Sequence, residues 1–264
     1  MRRTPLLLAL LALCACTTTT SSIDLRNAEL VDLTWAFDER TLYWPTSPSA
    51  FELKELSYGP TPGGWFYSSY AICTPEHGGT HLDAPIHFAE GRRTADQIPL
   101  SQLIAPAIVI DVADKAAANA DYRLTADDVR AWEARNGAIE AGTIVLLRTG
   151  WGKRWPDRKL YFGDDTPGST ENLHFPSYGE GAARLLVERQ VAALGVDTAS
   201  IDYGQSRDFI VHRVANGENV PGLENVANLE NVPARGAWVM ALPMKIAKGS
   251  GGPVRIVAAV PRRH

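Results

Sequence analysis

The chain has 264 residues, 45% of them hydrophobic and 21% charged, which suits a globular protein with one full-sized core. Thirty acidic and 26 basic side chains leave a formal net charge of -4, and no Lys/Arg run is interleaved with aromatic residues. Nucleic acid is therefore excluded as a partner.

The N-terminus reads as an export signal over residues 1–15. Arg2 and Arg3 supply its charged start, residues 6–13 its apolar stretch, and small residues follow. The apolar stretch is too short to span a bilayer as a permanent helix. Leu13-Cys14-Ala15-Cys16 has the form of a bacterial lipobox, which makes Cys16 the lipidated first residue of the mature chain. Residues 16–27 are then a Thr/Ser-rich tether and residues 28–264 the folded domain. The alternative is an ordinary cleaved signal that leaves Cys16 as a spare thiol. With Thr17 rather than Asp after Cys16, a lipid anchor on the periplasmic side of the outer membrane is expected. Lipidation of Cys16 leaves Cys73 without an intramolecular partner, so the fold has to rest on a packed core and any metal it binds.

Short β-branched or aromatic runs bounded by Gly, Pro or Asp predict strands over 29–37, 51–58, 65–74, 105–112, 142–150, 191–197, 237–244 and 253–260. Two helices are well marked among them. Thr125 is placed as an N-cap, acidic residues fill the turn behind it, and Gly137 stops the segment. "YGEGAARLLVERQ" carries Ala182, Leu185, Leu186 and Val187 near helical spacing and runs directly into the apolar segment at Val191. A helix feeding a buried strand predicts an α/β architecture, and no linker divides the body, so one compact domain is expected. Cys73, inside an apolar strand, reads as a small core residue.

"HGGTHLDAPIHF", residues 77–88, gathers three of the chain's six histidines with one aspartate. A helical zinc-protease reading of His77 and His81 fails, because Gly78 and Gly79 are poor in a helix interior and no Glu follows His77. In an extended segment alternate residues share one side. His77, His81 and Asp83 then project together and can hold one cation while leaving positions open for water and substrate. The two glycines let the backbone bend around the ion. Pro85 ends any ladder before His87, which puts His87 beside the ion without requiring it as a ligand, the place of a general base.

These residues resemble the H-x-G-T-H-x-D-x-P-x-H-F signature of the cyclase family, which includes bacterial kynurenine formamidases and isatin hydrolases. Other segments are similar to family segments in the family's order: "WPTSP" near Trp44, "LLRTGW", "LHFPSYGEGAARLLVER", "LGVDTASID", "LENVANLENVP" and "GSGGPVRIVA". In the first of these, Thr46-Ser47 replaces the Gly-Asp that often follows the proline. The resemblance implies a compact α/β domain of the swivelling β/β/α type, assembled as a homodimer or homotetramer. It also implies that His77, His81 and Asp83 hold a divalent metal and that His87 is the catalytic histidine. In two-metal members Asp83 bridges to a second ion completed by a His and a Glu twelve residues apart, a spacing that His212 and Glu224 match. One or two ions per chain are expected, and His/Asp/Glu donors without Cys suit zinc and manganese equally.

Glu224 has a rival in Glu230, because "LENV" occurs twice. If the segment is helical, six residues turn a side chain by about 240°, so only one of the two reaches the site. The family register favours Glu224. Trp44, Trp65 and Phe88 lie near motif segments and are candidates for an aromatic substrate wall. His174 is expected to shape a turn or the pocket rim. Asp197 is expected to cap a turn rather than to orient a ligand.

The chemistry implied is hydrolysis of a small aromatic amide, formamide or lactam by metal-activated water, with His87 as base. An ester or lactone hydrolase or isomerase of the same family is the first alternative. A periplasmic metal- or ligand-binding lipoprotein without turnover is the second, and it has no use for an uncoordinated base beside the metal. Export separates the chain from formylkynurenine, a cytoplasmic intermediate, and favours an environmental or secreted aromatic amide.

Overall fold

The computed structural model describes residues 23–262. The expected export signal and Cys16 lie outside the described residues. Strand β1 (Ala28–Asp32) is followed by a hairpin, β2 (Glu52–Pro60) and β3 (Phe66–Cys73), and by the short β4 (His81–Asp83). The chain continues through β5 (Ile104–Asp111), β6 (Arg123–Leu124), β7 (Ile144–Arg148), β8 (Ser177–Tyr178) and β9 (Ala193–Val196). It ends with β10 (Gly222–Glu224), β11 (Arg235–Pro243) and β12 (Gly251–Pro261). The α-helices are α1 (Leu100–Leu103), α2 (Ala113–Ala118), α3 (Ala126–Asn136), α4 (Arg158–Phe162), α5 (Glu180–Glu188) and α6 (Ile210–Gly217).

Eight strands form one sheet in the order β1-β12-β11-β5-β7-β9-β10-β4, and β4 also pairs with β12. This second pairing closes seven of the strands into a barrel and leaves β1 outside, antiparallel on β12. The run β5-β7-β9-β10 is parallel, and the remaining pairings of this sheet are antiparallel. Every strand predicted from the sequence is present, although the first stops at Asp32.

Burial on both faces explains why several strands read as unbroken apolar runs. Ile144, Val145, Leu146 and Leu147 of β7 are each 0% exposed. Alternate side chains of a strand face opposite ways, so Ile144 and Leu146 join Leu82, Val239 and Ile256 in one core. Val145 and Leu147 join a second core, with Val129 of α3, Leu186 of α5 and Val211 of α6. A sheet layer covered on both sides has no polar face to betray its period. The helices that cover it start and stop as their ends dictate. The Thr125 side chain accepts from Asp128 N–H while Thr125 N–H donates to the Asp128 carboxylate, and α3 ends at Gly137 with φ 90°.

The β2–β3 hairpin forms a separate two-stranded sheet. Leu53, Tyr58, Phe66, Tyr70 and Ile72 on it are exposed. Cys73, expected in the core, is exposed at its end. The apolar and aromatic run that marked the second strand is present, but neither strand has a further neighbour in a sheet.

Candidate metal centre

The closing strand carries the donors. His81 and Asp83, two residues apart on β4, face the same side, and Glu224 of β10 is the register partner of His81. Gly79, with φ 57°, turns the chain just before β4, and a side chain there would meet the Phe37 ring at 2.5 Å. The turn brings His77 back over the strand, so that its Nδ1 lies 2.6 Å from Asp83 Oδ1. Buried α6 then supplies His212 from the other side. His212 Nε2 is 3.1 Å from Asp83 Oδ2 and 3.2 Å from Glu224 Oε1. The residues expected to hold metal from two distant parts of the chain thus meet around one carboxylate, whose two oxygens face different histidines.

The outward nitrogens are anchored. His81 Nδ1–H donates to Gly79 O at 3.0 Å, and His212 Nδ1–H donates to Asp202 Oδ2 at 2.7 Å. His77 Nε2 lies 2.9 Å from Ser250 Oγ. Asp202, buried, also accepts from the backbone N–H groups of Val211 and His212 at 3.0 Å each, and Ile201 N–H donates to Glu224 Oε1 at 2.8 Å. Outer partners of this kind fix ring orientation in metal sites. Asp202 and Ser250 were not singled out from the sequence. Both stand inside segments similar to the family's, "LGVDTASID" and "GSGGPVRIVA", which was the one signal available.

A metal fits these residues on one observation in particular. His81 Nε2 is buried and makes no hydrogen bond, although it lies 3.2 Å from Asp83 Oδ1 and 3.4 Å from Glu224 Oε2. His81 Nε2 thus points into the space between the two carboxylates rather than along a bond to either. His81, Asp83 and Glu224 form one donor group, and His77, Asp83 and His87 form another that shares Asp83. The charges agree. Burial pushes the Asp83 carboxyl up, but His81, His77 and His212 hold it well below the ordinary range. Burial lowers His81, yet Asp83 and Glu224 hold it up to about 9. Two buried carboxylates require positive charge among them, and a cation supplies it in place of protons.

His87 lies on a short 3-10 turn, Pro85–His87, and its ring stacks on that of His77 with centroids 3.8 Å apart at 16°. An imidazole lone pair lies in its ring plane, so two rings stacked face to face direct their lone pairs along parallel planes rather than toward one point. Burial is the largest cause that lowers His87, to about 4; Asp83 opposes it, and His77, His212 and His81 reinforce it.

Above the donors opens a cavity of about 220 Å³. Trp44 and Phe88 line it as expected, with Tyr43, Phe162 and Phe209, which the sequence did not mark. Trp44 meets Phe209 edge-on at 6.2 Å, and Phe88 lies 4.4 Å from the His212 ring. Trp65 is not among the lining residues: it stands just before β3, in the hairpin's turn, 63% exposed. Glu230 is exposed on a 3-10 turn, Leu229–Asn231, so Glu224 alone of the pair reaches the donors, through a strand end rather than a helix face. His174 is paired with Asp121 at 2.9 Å outside the cavity. Asp197 caps a turn across the sheet, accepting from Thr149 N–H and Gly150 N–H at 2.8 Å each.

Residues 31–203 match the family described as "Putative cyclase". The chain belongs to the cyclase family. Within it, the isatin hydrolase of Roseibium aggregatum is 35% identical over 219 residues, covering 80% of this chain and 81% of that protein. The kynurenine formamidase of Salinibacter ruber is 30% identical over 187 residues, covering 69% and 74%. The crystal structure of an isatin hydrolase bound to the product analogue thioisatinate matches with a TM-score of 0.82 at 33% identity, over 90% of this chain and 94% of that one. This cyclase-family protein is a hydrolase acting on carbon–nitrogen bonds other than peptide bonds, and its clustered His, Asp and Glu donors suit a divalent metal.

Proposed function

We propose that the enzyme opens a small, uncharged aromatic amide of the lactam or anilide type, with His77, His81, Asp83, His212 and Glu224 holding zinc or manganese and His87 acting as general base. The observation that carries this reading is the cavity itself. Its floor is the donor cluster, its walls are aromatic, and no Lys or Arg is among the described residues lining it. A substrate bearing a carboxylate, such as the amino-acid arm of formylkynurenine, would lose its hydration there and gain no countercharge. An aromatic ring gains stacking partners in Trp44, Phe88 and Phe209.

A divalent cation at this site polarises an acyl oxygen and makes water more acidic. His87, neutral at pH 7, takes the proton of the attacking water and returns it to the leaving nitrogen. Its face-on stacking to His77 supports that role over ligation. The two oxygens of Asp83, turned toward different histidines, support a bridging role between two ions.

The same reading places the chain at the membrane through lipid on Cys16, supported by Leu13 to Cys16 and the Thr/Ser tether. It also includes a homo-oligomer, supported by the apolar side chains of the isolated β2–β3 hairpin, since two-stranded ribbons are marginal alone in water. Light scattering reads that state. The test of the activity is a panel of isatin, formanilide and N-formylkynurenine, with metal content measured in parallel. Chelator-sensitive turnover of the first two at higher kcat/KM is expected. Preference for N-formylkynurenine, or indifference to chelation, overturns the reading.

A further inference from the structure

We infer that Glu76 and Ser250 form a relay that fixes the His77 ring as an Nδ1 ligand of the metal centre. The inference rests on the metal reading above and adds two positioning residues to it. Ser250 Oγ lies 2.5 Å from Glu76 Oε2, and Ser250 N–H donates to the same oxygen at 3.1 Å. A carboxylate offers only acceptors, so the serine hydroxyl donates to Glu76. Having spent its one hydrogen, Ser250 Oγ can only accept from His77 Nε2 at 2.9 Å. Nε2 therefore carries a ring hydrogen, which leaves Nδ1, 2.6 Å from Asp83 Oδ1, as the nitrogen able to give its lone pair to a cation.

His81 and His212 reach the corresponding state in one step, by giving their Nδ1 hydrogens to Gly79 O and Asp202 Oδ2. With a cation in place of the protons, all three rings would then turn a lone pair toward the space beside the two carboxylates. His77 alone needs a serine between ring and carboxylate, because Glu76 Oε2 is 4.0 Å from its Nε2, too far to bond it directly.

The loop that carries Ser250 is shaped for this contact. A side chain at Gly249 would lie 2.8 Å from Glu76 Oε1. One at Gly251 would lie 2.8 Å from His77 Cε1 and 2.4 Å from Leu82 O. "GSG" at 249–251 is thus the form that lets a serine hydroxyl enter between Glu76 and His77 without a neighbouring Cβ displacing either.

The test measures zinc affinity of the purified metal-free protein by competition with a chromogenic chelator. Ser250→Ala and Glu76→Ala are each expected to weaken zinc binding about 10-fold or more, the scale of outer partners in metal sites. Because Glu76 acts through Ser250, the double variant is expected within about twofold of the weaker single variant. Glu76→Gln, whose amide oxygen still accepts from Ser250, is expected to restore most of the affinity. Nitrogen NMR of zinc-loaded wild type with ¹⁵N-labelled histidine is expected to show a hydrogen on His77 Nε2, a readout that needs no variant to fold. Additive losses, or a bare His77 Nε2, overturn the relay. Zinc bound equally well by wild type and Ser250→Ala overturns it alone, whereas a wild type that takes up no zinc overturns the metal reading and the relay with it.

Discussion

Glu224 faces His81 across the seam between β4 and β10, as its register partner, with Oε2 3.4 Å from His81 Nε2. Glu230, in the second copy of the same tetrapeptide, is exposed. Glu224→Gln is expected to lower metal content, from about two ions toward one if Asp83 bridges, and to impair turnover. Glu230→Gln makes the same charge change and is expected within about 0.5 kcal/mol of wild-type stability, with full activity. Metal analysis and urea denaturation of the pair check this; equal behaviour of the two would contradict the placement of Glu224.

Variants at His87 and His81 test the proposed division between base and ligand. His87→Ala is expected to keep its metal and to lose about 10²–10⁴-fold in kcat, the usual contribution of a positioned base. His81→Ala and Asp83→Asn are expected to lose metal as well. Parallel metal analysis and steady-state kinetics on the three variants decide it. Metal loss in His87→Ala equal to that in His81→Ala would make His87 a ligand.

The start of α3 gives a pH signature of stability away from the site. Burial opposes ionisation of Asp128, but hydrogen bonds from Lys115, Tyr122 and Thr125 hold its carboxyl well below the ordinary 3.8. A depressed folded-state value means that its stabilisation is complete above the unfolded value and fades as pH falls below it toward the folded one. Asp128→Ala is expected to cost about 2 kcal/mol at pH 7 through the lost cap and charged hydrogen bonds. The gap between variant and wild type in urea is expected to be narrower at pH 3 than at pH 7.

Localisation turns on a single sulfur. Radiolabelled palmitate is expected to enter the protein in its bacterial host, and Cys16→Ser is expected to abolish the label. A wild type that takes up no palmitate would leave Cys16 as a spare thiol.

The sequence was most informative where physics is local. The apolar runs in β5, β7 and β9 and the capping residues Thr125 and Gly137 marked their elements directly. The six residues that meet at the floor of the cavity were legible because the family signature and a twelve-residue spacing name them. β10 was not legible as a strand, and β4 only as part of a longer extended segment from His77 that the turn at Gly79 interrupts: at three residues each they show no period, and they are strands only because distant segments flank them. Trp65 and Cys73 were misplaced for the reverse reason, since their segment has the aromatic and apolar content of a buried strand while its neighbour is only the other arm of a hairpin. Glu76 and Ser250 are 174 positions apart, and no feature of either stretch alone announces a hydrogen bond to the other.

The double pairing of β4 has a kinetic side. Its three residues tie the first third of the domain to β10 and to β12, the last strand, so the barrel closes only when remote segments meet. Loop closure over such separations is entropically costly and slows the crossing of the folding barrier. A seam this narrow has little local order of its own, and contacts formed after the barrier govern how fast a protein opens rather than how fast it closes. With candidate donors on both sides of the seam, a bound cation would act as a clasp on native-state lifetime, and stripping it is expected to be felt first as faster opening of the barrel.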